Sequence, residues 1–274
     1  MRLAIELDPL PRSRERRGVE VHELKVVADC VDLRVRFAPM NLENSISQRE
    51  ASAESTQARI RMRTSEYGAL ALFVAFREDR IPVSRFAEFF KEQYMTARWF
   101  QDVIWAATDI AEGRYAEFAR AHRAADSGHH RWMKTDLERF GLEPMSDEDW
   151  FRFEWLPTRL QMARILARLV DATAEDRIVV LACMESAGAV TLGTLFDYVV
   201  RNGLAAKTKY LGDAHVKIEE RQVGVLDEIA AELLASARPR DHETVDLVFD
   251  ALTRMFQAGG DRYYGDLLVP VSTS

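Results

Sequence analysis

The sequence predicts an all-α protein: a seven-helix bundle with a short β-like N-terminal arm. Three observations predict it. From about Ser52 onward, apolar residues recur at helical spacing almost without a break. Turn signals divide that run at Ile81-Pro82, Glu112-Gly113, Gly141-Leu-Glu-Pro144, Gly203 and Pro239. Alternation at period two is confined to the first 40 residues, in Val19, Val21, Val31, Leu33, Val35 and Phe37.

The arm occupies residues 1–50 and the helical domain 51–274. Pro9, Pro11 and the Arg12–Arg17 run read as exposed loop, and Asn41 to Gln57 as a polar lead into the helices. Two short strands do not fold alone, so the arm is expected to pack on the domain or on a partner chain. Helices are expected near 52–78, 82–112, 114–141, 147–173, 177–202, 204–236 and 241–258. Ser146-Asp-Glu-Asp and Asp241-His-Glu-Thr have the form of N-terminal caps, with acids in the first turn.

Composition removes several function classes. Apolar residues make up 47% and charged residues 30%, a globular balance. The net charge of −7 comes without any basic block, which argues against a nucleic-acid surface. No apolar run approaches the roughly 20 residues of a membrane span, and the charged start (Met1-Arg-Leu-Ala-Ile-Glu6) is unlike a signal peptide. Cys30 and Cys183 stand far apart, so neither a disulfide framework nor a thiolate zinc site is expected. A reduced, cytoplasmic protein follows.

Chemistry concentrates on three helices. His122, Asp126 and His129 follow i, i+4, i+7 and share a stripe bordered by Phe118, Met133 and Leu137. His215, Glu219 and Gln222 repeat the pattern among Leu211, Ile218 and Leu226. Glu185 stands alone in an apolar segment, with Ser186, Ala187 and Gly188 leaving room beside it. Buried carboxylates and imidazoles are costly unless paired or metal-bound. Oxygen ligands mixed with imidazole suit iron or manganese. His130 lies about 100° from His129 around the helix and is read as an ordinary polar residue. His22 and His242 are read as loop or cap residues. Tyr94, Trp132, Tyr210 and Phe90 are candidates for pocket walls, and Lys209 and Arg159 for a carboxylate anchor.

The run Phe86-Ala-Glu-Phe-Phe-Lys-Glu-Gln-Tyr94, then Ala121-His122, Asp126-Ser-Gly-His129-His-Arg-Trp132 and Asp136-Leu137, resembles the iron-containing redox enzymes with a heme-oxygenase-like fold. Cys183-Met-Glu185 and His215-x3-Glu219-x2-Gln222 extend the likeness, which covers about residues 65–236. The resemblance implies a seven-helix bundle that binds one or two Fe(II) ions and uses O2 on a small amine, amino acid or carboxylic acid. It implies metal ligation by Asp126, His129, Glu185, His215 and Glu219, with His122 and Gln222 at a possible second site. It also implies a homodimer, by analogy. The chain departs from the family at Gln222, where members carry His, and at His122, where many carry Glu.

Two further readings keep the bundle and drop the metal. One is a thiaminase-like hydrolase with Cys183 as nucleophile. The other is a non-catalytic accessory or binding subunit.

Overall fold

The computed structural model describes residues 54–205 and 208–268, and for 219–223 and 227 the backbone only. The strand-like arm, with Cys30 and His22, lies outside the described residues. Those described belong to one compact unit, Ser52–Ser274. They are all-α, with no strand among them.

The expected helical segments appear, several of them broken in two. The first becomes α1 (Thr56–Gly68) and α2 (Ala71–Arg77). Then come α3 (Val83–Ala107), α4 (Ala116–Asp126) and α5 (His129–Arg139). A single turn, α6 (Asp147–Trp150), and the 3-10 turn Phe153–Trp155 lead into α7 (Leu156–Leu169). The long helices α8 (Ala174–Arg201), α9 (Asp213–Ala235) and α10 (Pro239–Tyr264) complete the order.

Local chemistry sets several boundaries. α8 opens on a capping box: the Asp176 amide donates to Thr173 Oγ1 (3.2 Å) and the Thr173 amide donates to Asp176 Oδ2 (3.1 Å). Ser146 caps α6 as expected, accepting from the Asp149 amide. Asp241 does not cap α10. That helix starts two residues earlier at Pro239, whose fixed φ suits a first helical position. Asp241 is instead fully buried, and Arg238 Nε and Nη2 donate to its carboxylate at 2.8 Å.

α10 packs against α1, α7 and α8, α8 packs against α9, and α3 packs against α5 and α7. Between α2, α3, α8 and α10 the core is aromatic. Phe76 meets Phe86, Phe89, Tyr198 and Tyr264 with ring centroids 5.1–6.0 Å apart. Each such pair adds about 0.5–1.5 kcal/mol beyond its buried area. One sequence expectation needs correction. α8 has the length and composition of a membrane span, although most of its apolar window is buried in the bundle, as in a core helix.

Candidate metal centre

The 114–141 segment is two helices because the chain breaks at Ser127-Gly128. Gly128 has φ 94°, in the left-handed region that a side chain disfavours. Gln101 of α3 holds the break: the Gly128 amide donates to Gln101 Oε1 (3.1 Å), and Gln101 Nε2 donates to the Asp126 carbonyl (3.4 Å). Asp126 thus ends α4 and His129 begins α5, with their side chains still adjacent.

Three side chains converge beside this break. His122 Nε2 lies 3.1 Å from Asp126 Oδ2 and 3.1 Å from Glu185 Oε1 on α8. All three residues are buried. One imidazole nitrogen offers one proton, and neither carboxylate contact has the direction of a hydrogen bond. His122 Nδ1 also has no hydrogen-bond partner among the described residues. One ligand atom from each residue lies within 4.8 Å of the others, so this group could hold a metal ion. The separations fit, because neighbouring ligands about 2.1 Å from an octahedral ion stand about 3 Å apart.

Asp126 faces two ways. Its Oδ1 is 3.8 Å from His129 Nδ1, and His129 Nδ1 is 3.2 Å from His215 Nε2 on α9. The Tyr210 carbonyl, which can only accept, lies 2.6 Å from His215 Nδ1. Nδ1 therefore carries a proton, and it is Nε2 that faces His129. A ring held through a backbone carbonyl in this way is the usual support of a metal-ligating histidine. Trp132 stacks on His129 (4.8 Å between centroids) and meets His215 edge-on (5.3 Å).

The support extends to Asp136, a fully buried carboxylate on α5. It accepts from the backbone amides of Lys209, Tyr210 (2.7 Å) and Leu211 (3.4 Å), fixing the loop whose carbonyl orients His215. Burial raises its pKa, against the pull of those amides. Asp136→Ala is expected to cost about 3 kcal/mol by leaving these amides unsatisfied. Where His215 ligates metal, as proposed below, affinity should fall about 10–100-fold through its loosened ring. Urea unfolding and metal titration of the variant test this, and an unchanged affinity would detach Asp136 from the centre.

Asp126, His129, Glu185 and Tyr210 line a cavity of about 120 Å³ together with residues of α3, α8 and α10. Other expected site residues sit elsewhere. Tyr94 packs beside Met95, Trp150 and Trp155, and Phe90 stacks on Phe86; neither lines the cavity, nor does Trp132. Lys209 Nζ lies 5.1 Å over the Trp132 ring, and Arg159 donates to the Arg152 and Phe151 carbonyls. His130 and His242 lie outside the cluster. Cys183 is fully buried, and burial pushes its thiol pKa far up, the reverse of what a nucleophile needs. The side chains of Glu219 and Gln222 lie outside the described residues.

Gln101 does not stand out in the sequence, and Asp136, which enters there only within the resemblance, is given no role although its position carries a signal. It falls at i+7 from His129, on the stripe that also holds Met133 and Leu137. No protein-family model matches the chain, and no curated protein is similar to it above chance.

Proposed function

We propose that the protein is a non-heme iron enzyme with a heme-oxygenase-like bundle, using O2 as co-substrate on a small molecule. It would act in the cytoplasm, as a homodimer by the same resemblance. The observation that carries this is the convergence of His122, Asp126 and Glu185 on one buried point, with the second oxygen of Asp126 turned to His129 and His215. Two imidazole–carboxylate groups sharing a carboxylate suit one or two Fe(II) ions. His122, Asp126 and Glu185 would hold the first, and Asp126, His129 and His215 the second, with Glu219 on the same helix as His215.

Bound Fe(II) supplies the reducing electrons for O2 that no side chain of the site can supply. The chain's own residues do the rest. His215 is kept in one tautomer by the Tyr210 carbonyl. Leu192, Leu195, Leu252 and Phe256 give the cavity an apolar lining. Gln101 fixes the spacing between Asp126 and His129.

Metal-free protein titrated anaerobically with Fe(II) tests the proposal. One or two ions should bind per chain, and a visible absorbance change should follow on admitting O2. Failure to retain iron, with no shift in melting temperature on adding Fe(II) or Mn(II), would overturn it in favour of a non-catalytic subunit. In that case His122 would serve as a buried cation between two carboxylates. The hydrolase reading has less support, given the burial of Cys183.

A further inference from the structure

α8 has a second lined face. Glu185, Leu192 and Leu195 line the cavity of the metal centre, and on the opposite side of the helix an open groove of about 740 Å³ runs between α1 and α8. Arg61, Ser65 and Gly68 of α1 (i, i+4, i+7) form one wall, and Ser186, Ala189 and Gly193 of α8 (i, i+3, i+7) the other. These small residues keep the groove wide. A Cβ added at Gly193 would stand in open space, with nothing within 4 Å. The volume falls within the roughly 300–1,000 Å³ of small-molecule clefts.

The charge of this groove is the reverse of the chain's. The protein has a net charge of −7, yet no described carboxylate lines the groove, whereas Arg61 and Arg77 both do. Nearby arginines are committed: Arg59 to Asp246, Arg63 to Asp250 and Arg80 to Glu78. Arg61 makes no hydrogen bond or ion pair with a described residue. Among the described residues Arg77 donates only to the Gly68 carbonyl (2.7 Å), which sets its guanidinium beside the groove.

A further donor comes from α8. Thr194 lines the groove and is 8% exposed, and its hydroxyl makes no hydrogen bond with a described residue. Thr64 and Thr191, by contrast, donate to the carbonyls four residues back, the usual habit of a helical threonine. The Thr194 oxygen is not among the sealed atoms of the interior that lack a partner, so it keeps accessible surface where the residue lines the groove.

We propose that this groove binds a small organic oxyanion, a phosphate monoester ahead of a carboxylate. Two guanidiniums match a dianion in charge, and each offers paired N–H donors that phosphate and carboxylate oxygens accept two at a time. The Thr194 hydroxyl adds a donor, and the small walls leave room for the uncharged body. The site needs no metal and does not rest on the iron reading.

Phenyl phosphate, benzoate and benzyl alcohol serve as probes, followed by ligand-observed NMR on the full chain with chelator present. Only binding that Gly193→Leu removes is counted, since that substitution puts bulk into the groove and favours the helix. Phenyl phosphate should bind at least about five-fold more tightly than benzyl alcohol, with benzoate between them. Raising salt from about 0.1 M to about 1 M should narrow that gap, because the guanidiniums are exposed. Arg61→Met and Arg77→Met should each weaken phenyl phosphate about 3–5-fold and leave benzyl alcohol unchanged. Thr194→Val should weaken it about three-fold. The proposal is overturned if no probe binds, if benzyl alcohol matches phenyl phosphate, or if Gly193→Leu, folded with an unchanged melting temperature, still binds phenyl phosphate. It is equally overturned if a second copy of the chain fills the groove, seen as a dimer that Gly193→Leu dissociates and phenyl phosphate does not.

Discussion

Asp126→Ala should abolish metal binding at the His122–Asp126–Glu185 group and, on the proposed two-ion reading, at the second position as well. Its two oxygens face different histidines, 3.1 Å from His122 and 3.8 Å from His129, so on that reading one substitution strips a charged ligand from each position. The expected loss exceeds about 100-fold, above the range for partners that only orient a ligand. The same variant exposes a pH dependence. Among the described residues, the charged groups facing His122 are Asp126 from its own helix and Glu185 from α8, with the Phe118 ring alongside. Burial opposes the imidazolium, but the two carboxylates outweigh it and lift the His122 pKa to about 10. A pKa raised above the unfolded value of about 6.5 stabilises the metal-free fold fully below that pH. The contribution is lost as pH rises through about 10, and on the order of 3 kcal/mol is at stake. A metal ion must displace that proton, so affinity should climb about tenfold per pH unit between these limits. Denaturant unfolding from pH 6 to 10 should show a steeper stability loss in metal-free wild type than in Asp126→Ala. Equal slopes, together with equal metal content, would mean that the three side chains do not act as one site.

Much of this centre was legible because helical spacing is a reliable guide to which residues share a face. His122, Asp126 and His129 read as one stripe, and Glu185 and His215 read as polar residues on apolar helices; all five come together. Their pairing was not legible. The sequence reading sets His122 at a possible second site; that it lies between Asp126 and Glu185 could not be read, because only the crossing of α4 and α8 decides which imidazole meets which acid. The break at Gly128 was missed for a related reason. Periodicity continues across it, and the Gln101 side chain that satisfies the broken ends comes from α3, 27 residues away. Tyr94 and Trp132 show the converse error of inference, since an aromatic at helical spacing says that a face is buried and not what it is buried against.

Arg262→Met should be the most destabilising of the substitutions considered. Glu92 of α3 is 1% exposed and sits between two helices. Arg262 Nη1 of α10 donates to its Oε2 at 2.8 Å, and Thr158 Oγ1 of α7 donates to its Oε1 at 3.1 Å. Arg262 also donates to the Glu154 carbonyl (2.7 Å) and lies 3.9 Å over the Trp155 ring. Gly259 allows this approach, since a Cβ there would meet Glu92 Oε2 at 3.3 Å. Removing the cation leaves a buried carboxylate unpaired, at a cost of about 3–5 kcal/mol, which lowers Tm by on the order of 10 °C in a domain of this size. The sign of the pH effect follows from burial, which already raises the Glu92 pKa and is opposed mainly by Arg262. A raised carboxyl pKa favours the fold below the unfolded pKa of about 4.3, and that advantage is lost as pH rises through the folded value. The deficit of Arg262→Met should therefore be larger at pH 8 than at pH 5, and Glu92→Gln in the same chain should recover most of it. A Tm within 2 °C of wild type, roughly the shift from 1 kcal/mol or less, would show that the α3–α10 pair contributes no more than an exposed ion pair.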